Sequence, residues 1–361
     1  MPAPRGRDLE LTRRRLRDWF SGVLPDAREI RLSGLAGPAT TGFSSDTLLF
    51  DLEYRENGRP IRRPLAIRIQ PTGFQSFPEY DLGLQFRIQS ALAPTSVPTV
   101  RMYWREQDPG VLDAPFYVME RVDGRIPTDR PPYHTGGWMT EIRSDERTAI
   151  WWSGLEVLAR IHNLDWEALD LGWLADQDGR TPIERQLDYY TKYLAWTWDE
   201  KPHPTCTPAL EWLTQNRPRE QEPVTLVWGD ARIGNMIFQN SQCAAVLDWE
   251  MATLGNPEED LAWWIFLDRH HSEGVGAARL PGFPGREETI ARYEYWSGRQ
   301  TKHLDYYERF AALRFSVIMA RVAKQMQAYG ELPEDSDFGI TNPCSRMLAQ
   351  LLDLPDPAPS D

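Results

Sequence analysis

Cysteine is scarce in this chain, and the three present, Cys206, Cys243 and Cys344, are scattered without a CxxC pair. That excludes a disulfide framework and the usual zinc spacings. No apolar run approaches the roughly 18 residues that suggest a membrane span. Basic residues are in deficit, 40 against 53 acidic ones, and the net charge of −13 argues against a nucleic-acid binder. The run His270-His271-Ser272-Glu273 lacks metal-ligand spacing such as HExxH and is expected at the surface. The opening stretch, MPAPRGRDLELTRRRLRDWF, has no apolar h-region and no small-residue cleavage site. It predicts an amphipathic helix with Leu9, Leu16, Trp19 and Phe20 inward, and a cytoplasmic protein is expected.

At 361 residues the chain exceeds one comfortable core, so two lobes are expected. No internal repeat is visible. In the first part, Asn57-Gly58 marks a hairpin turn, and RPLAIRIQP alternates, with Leu65, Ile67 and Ile69 on one face and Ala66, Arg68 and Gln70 on the other. A helical segment, YDLGLQFRIQSAL, and two more strands, VPTVRMYW and APFYVME, complete a small α+β lobe over residues 1–122. From Ser144, a predicted N-cap, helical patterns dominate, so residues 123–361 are expected to form a larger, mainly helical lobe. Most of the 15 tryptophans should be core.

Chemistry concentrates in LVWGDARIGNMIFQNSQCAAVLDWEMATLGNPEEDLAWW, Leu226 to Trp264. Asp230, Asn235 five positions on, and Asp248 sit at the ends of short apolar strands, where burial alone asks for no polar residue. Each alone would read as a turn or cap residue. Together they have the order phosphoryl transfer needs: an Asp to accept a hydroxyl proton, then an Asn and a second Asp to hold a hard cation. The spacing matches the protein-kinase catalytic loop, with Trp249 where the DFG motif has Phe.

These residues resemble the aminoglycoside phosphotransferase/choline kinase-like family, whose pattern is H-G-D-x-x-x-x-N, then I-D-W-E and G-D-P-x-x-D-L-A. LARIHNLDW resembles the family's LAxLHxxD helix, and APFYVMERVDG its hinge strand. LPGFPGREETIARYEYWSGR and YYERFAALRFSVIMAR resemble the C-terminal helices of the branch found fused to acyl-CoA dehydrogenases. The likeness runs from about Ser33 to Gln327.

The resemblance implies a bilobal protein-kinase-like fold with ATP between the lobes, GTP being the other candidate. It implies Asp230 as catalytic base, Asn235 and Asp248 as Mg2+ ligands, and TTGFSSDT as the phosphate loop with Ser44, Ser45 and Thr47. Arg68 would bind phosphates, and the hinge around Glu120 and Val122 would bind adenine. The expected partner is a small-molecule hydroxyl, with no nucleic acid and no membrane.

Three positions depart from the pattern. Trp228 replaces the His before Gly-Asp, Arg68 replaces the strand Lys, and Gln85 replaces the helix acid that pairs with that Lys. Gln85 would orient Arg68 through a neutral hydrogen bond, with Glu79 or Asp81 as substitutes. Glu250 and Asp260 are candidates for a cationic acceptor, and the tryptophans for a lipophilic one. A hydroxyacyl or other lipophilic alcohol therefore stands slightly ahead of an aminoglycoside. A nucleotide-binding pseudokinase with a regulatory role is the alternative, and a metal-dependent hydrolase a weaker one.

Overall fold

The computed structural model describes residues 7–37, 46–175, 179–199, 201–219 and 223–357. The chain opens with α1 (Leu9–Val23), whose Asp8 side chain caps the first turn. Then come β1 (Arg28–Leu32), β2 (Asp46–Glu56), β3 (Arg59–Ile69), α2 (Leu82–Leu92), β4 (Met102–Glu106) and β5 (Phe116–Glu120). The strands form one antiparallel sheet in the order β1-β2-β3-β5-β4. The β2–β3 hairpin closes on Asn57 and Gly58, both at positive φ (50° and 76°), as a two-residue turn between right-twisted strands requires.

The alternation expected of β3 is present, but Leu65 to Ile69 are all buried because both faces are covered. Leu65, Ile67 and Ile69 pack with Leu16 and Phe20 of α1. Ala66 packs with Leu82, Tyr117 and Met119, and Arg68 shares that second face.

After residue 143 the chain is mainly helical. It runs through α3 (Ser144–His162), α4 (Pro182–Thr197), α5 (Cys206–Gln215), β6 (Thr225–Val227), β7 (Met236–Gln239), β8 (Gln242–Val246), β9 (Thr253–Gly255), α6 (Glu258–His271), α7 (Arg286–Ser297), α8 (Leu304–Ala328) and α9 (Pro343–Leu351). Arg143, not Ser144, holds the N-cap position of α3, with Glu146 closing a capping box. The core is aromatic: Trp151, Trp228, Trp249, Trp263 and Trp264 are fully buried, whereas most of the other tryptophans are only partly buried against it and Trp196 is exposed. His270, His271 and Ser272, expected at the surface, are buried, because α6 is enclosed on all sides. The result is the bilobal α+β arrangement that the resemblance implied.

Two small antiparallel pairs carry the polar segments. β6 pairs with β9, and β7 with β8. Asp230 and Asn235 therefore lie between β6 and β7, and Asp248 between β8 and β9. The sheet docks here through a Thr99–Val246 bridge and an Arg125–Phe238 bridge. Gly124 sits at φ 151° against Ile237 and the Phe238 carbonyl, where a Cβ would collide. No helix among the described residues is long and apolar enough to cross a membrane.

Candidate active site

The Asp230 loop is held from below. Asp260, at the start of α6, accepts the backbone N–H of Trp228 at 2.7 Å and of Gly229 at 2.8 Å, while its Oδ2 meets His162 Nε2 at 3.0 Å. It is fully buried, so the expectation of Asp260 as an acceptor-binding acid is corrected: its oxygens anchor backbone. Arg314 of α8 donates to the Gly229 carbonyl at 2.7 Å. Gly229 itself, at φ 91°, lies so close to the Met251 carbonyl that a Cβ cannot fit.

On this platform both Asp230 oxygens are engaged. Oδ1 accepts Trp263 Nε1 at 2.8 Å and Arg232 Nε at 3.1 Å, and Oδ2 accepts Asn235 Nδ2 at 2.6 Å. Asn235 Nδ2 also reaches the Asp230 carbonyl at 3.1 Å. With the side-chain nitrogen turned to Asp230, the side-chain oxygen Oδ1 of Asn235, not its backbone carbonyl, is the atom left to face a cation. Arg232 is gripped in turn by both Asp129 oxygens, at 2.5 and 2.6 Å. Burial works against its charge, but Asp129 and then Asp230 more than offset this and hold Arg232 firmly protonated. Arg232 stands two positions after Asp230, so it was visible in sequence. Asp129, about a hundred residues upstream, left no signal.

Asp248 stands beside Asn235, because Leu247 N donates to the Asn235 carbonyl at 2.9 Å. Its own φ is 59°, a left-handed conformation that Asp tolerates better than most residues. The Trp228 indole stabilises this turn, its Nε1 pointing at the carbonyls of Leu247 (2.9 Å) and Asp248 (3.0 Å). Trp228 thus supplies a donor as well as bulk where the family pattern has His.

Arg68 faces this turn from β3. Its Nη2 lies 3.0 Å from Asp248 Oδ1 and 3.3 Å from Glu250 Oε2. Burial opposes its charge, and attraction to Asp248, Tyr117 and Glu250 more than restores it. Gln85, expected to orient Arg68, instead accepts the Tyr117 hydroxyl at 3.0 Å. Asp81 caps α2 through Leu84 N and is likewise not the partner. Glu250, expected at the acceptor side, is the second acid on Arg68.

The remaining nucleotide-side positions are scattered in outcome. Ser44 and Ser45 lie outside the described residues. Thr47 pairs with Arg68 across the β2–β3 ladder, which brings it to the same part of the sheet. The N–H groups of Glu120 and Arg121 are spent on the Arg101 and Pro64 carbonyls (2.8 and 3.1 Å). Among the described residues the Val122 N–H meets no backbone acceptor.

Asp248 and Asn235 suit Mg2+, an oxygen-seeking cation that takes few protein ligands and completes its shell with phosphate oxygens and water. Among the described residues no group of three or more His, Cys, Asp or Glu side chains is placed to hold a metal ion.

Across from Glu250, the segment between β3 and α2 straps onto α4 and α8. Tyr193 donates to the Ser76 carbonyl, and Arg321 Nε to the Gln75 carbonyl at 2.8 Å. The Arg321 guanidinium lies 3.8 Å from the Phe74 ring and 3.8 Å from the Trp196 ring. Within the strap, Phe77 packs edge-on against Tyr80 and tilts against Tyr193 of α4, whose ring also meets Tyr189.

Comparison with known proteins agrees with this geometry. The phosphotransferase enzyme family model matches residues 51–295. Mouse acyl-CoA dehydrogenase family member 10 is 34% identical over 243 residues, 66% of this chain and 22% of that protein. The human family member 11 is 32% identical over 237 residues, 63% of this chain and 29% of that protein. The chain thus spans less than a third of the length of these two relatives. Among solved structures, a putative aminoglycoside phosphotransferase from Ralstonia eutropha shares the fold, with TM-score 0.68, 24% identity, and coverage of 94% of this chain and 98% of that one. The GDP complex of aminoglycoside 2'-phosphotransferase-IIIa matches with TM-score 0.55 at 12% identity, covering 94% and 96%. With its kinase-like lobes and a family match across most of its length, the chain belongs to the phosphotransferase enzyme family.

Proposed function

We propose that this chain is a Mg2+- and ATP-dependent kinase of a small-molecule hydroxyl, with residues 1–122 as the nucleotide lobe and 123–361 as the catalytic and acceptor lobe. The observation that carries the reading is the meeting of Asp230, Asn235 and Asp248 on two adjoining turns, with Arg68 of β3 facing them.

In this reading Asp230 orients the acceptor hydroxyl and takes its proton as the new oxygen–phosphorus bond forms and ADP departs. Trp263 and Asn235 fix its two oxygens in place beforehand. Asn235 and Asp248 hold the Mg2+, which when bound neutralises phosphate charge. Arg68 adds a fixed positive charge beside the phosphates, with Thr47 of β2 and the preceding Ser44 and Ser45 as further phosphate donors. Backbone groups at Glu120 and Val122 receive the adenine. The GDP bound by one structural neighbour supports a nucleotide co-substrate and keeps GTP in the comparison.

For the acceptor, a hydroxyacyl or other lipophilic alcohol is favoured over an aminoglycoside. Asp260 is committed to backbone and Glu250 to Arg68, which leaves little acid for a polycation. Helix α4 and the strap contribute a cluster of aromatic rings, Phe77, Tyr80, Tyr189 and Tyr193, and the matched relatives are named as acyl-CoA dehydrogenase family members.

Calorimetric titration of ATP and of GTP, with and without Mg2+, tests this on the wild type and on Asp248→Ala. Binding that requires Mg2+ and weakens in the variant is expected. Binding indifferent to both would favour a nucleotide-binding pseudokinase, a reading to which the Arg68–Asp248 pair and the neutral Gln85 lend support.

A further inference from the structure

The ion pair that steadies the phosphate-binding cation of a kinase has lost its usual acid in this chain. Gln85 stands at the helix position, and its carbonyl oxygen is given to Tyr117. Yet Arg68 is 7% exposed, and a buried guanidinium stripped of a carboxylate is strongly destabilised. Its partners come from the other side of the cleft: Asp248 at 3.0 Å and Glu250 at 3.3 Å, both on the same Nη2.

Only one of these two acids can be a permanent partner. If Asp248 turns to a cation, as the kinase reading requires, Arg68 loses that contact in every catalytic cycle. We infer that Glu250 is the positioning residue for Arg68, holding the guanidinium at the phosphates when Asp248 is engaged elsewhere. The inference rests on that reading.

The placement has a consequence for how the site is coupled. Glu250 follows the left-handed Asp248 turn, which Trp228 and Asn235 bind to the Asp230 loop. The cation's anchor and the metal-binding acid therefore ride on one short segment of the large lobe. Helix α2 carries no acid to Arg68, so it can shift without making or breaking the pair. Tyr117 links the two systems, bonded to Gln85 and close to Arg68, through a neutral hydroxyl only.

The test compares wild type, Glu250→Gln, Glu250→Asp and Gln85→Ala, reading the calorimetric Kd of ATP with Mg2+ and, separately, KM for ATP, KM for the acceptor and kcat. In Glu250→Gln, Asp248 is the carboxylate that stays on Arg68 Nη2 among the described residues, and Arg68 competes with the cation for it. The ATP Kd and the KM for ATP should rise by about tenfold or more, from the loss of one charged hydrogen bond. The KM for the acceptor should not change. Glu250→Asp should recover part of the affinity, and Gln85→Ala should leave it near the wild-type value. Wild-type nucleotide affinity in Glu250→Gln, an equal loss in Gln85→Ala, or a rise confined to the acceptor KM would overturn the inference. So would failure of both Glu250 variants to fold, since Glu250 would then be a structural anchor. If the wild type itself binds no nucleotide, it is the kinase reading that fails.

Discussion

The Trp228 indole donates to the carbonyl oxygen of Asp248 at 3.0 Å, tying the turn that carries one polar residue of the site to the loop that carries the other. The same Nε1 faces the Leu247 carbonyl at 2.9 Å. Trp228→Phe keeps most of the bulk and removes the donor. Leaving two part-buried carbonyls short of this donor should cost about 1 kcal/mol. A lower thermal midpoint is expected, with kcat falling more than the KM for the acceptor, because the Asp248 turn loses its support. An unchanged midpoint would contradict this role.

Asp260→Asn probes the platform beneath Asp230. The carboxylate accepts two backbone N–H groups and faces His162; an amide puts a donor where one of those donors points. Destabilisation of about 3 kcal/mol is expected, read by denaturant unfolding. If Asp260 instead served the acceptor, the variant would keep its stability and lose only acceptor affinity.

His270 and His271 give the fold a dependence on pH. Burial pulls them from the ordinary 6.5 down to about 3 and about 4, helped for His270 by His271 and opposed for both by Asp129. Folded, both are neutral; unfolded, each takes a proton below about 6.5. The unfolded chain thus binds more protons between about pH 6.5 and about pH 4, and stability falls as pH is lowered through that window. Thermal melts at about pH 7 and about pH 5 should show the lower midpoint at the acid end. Equal midpoints would mean that the two imidazoles charge without cost in the folded state.

Arg321→Ala opens the strap. The guanidinium is sandwiched between Phe74 and Trp196 and bonds the Gln75 carbonyl, so about 1–2 kcal/mol of stability should be lost. On the reading that a lipophilic acceptor sits against this aromatic strap, its KM should rise while that for ATP holds. A change in the ATP KM alone would place the strap on the nucleotide side.

What the sequence revealed and what it hid divide along physical lines. The Asn57-Gly58 turn, the alternation in β3 and the Asp230–Asn235–Asp248 order are written in residues close together, and the structure brings the last three onto adjoining turns. Partners contributed from afar were not legible. Asp129 meets Arg232 across 103 positions and Glu250 meets Arg68 across 182, and neither spacing follows a helix or strand period. Asp260 misled because an acid in the first turn of a helix has a ready local explanation, whereas here it reaches back to the Trp228 and Gly229 N–H groups. His270 and His271 misled for the opposite reason. Without metal-ligand spacing the run was expected at the surface, but α6 is buried along nearly its whole length, both histidines included.

The most direct measurement is turnover of ATP with Mg2+ against a panel of hydroxylated acyl compounds and aminoglycosides, with the product identified by phosphorus NMR, for the wild type and Asp230→Asn. The account predicts a phosphate ester on a lipophilic alcohol, and a kcat lower by about a hundredfold or more in the variant. No ester with any acceptor despite bound nucleotide, or equal turnover in Asp230→Asn, would contradict it.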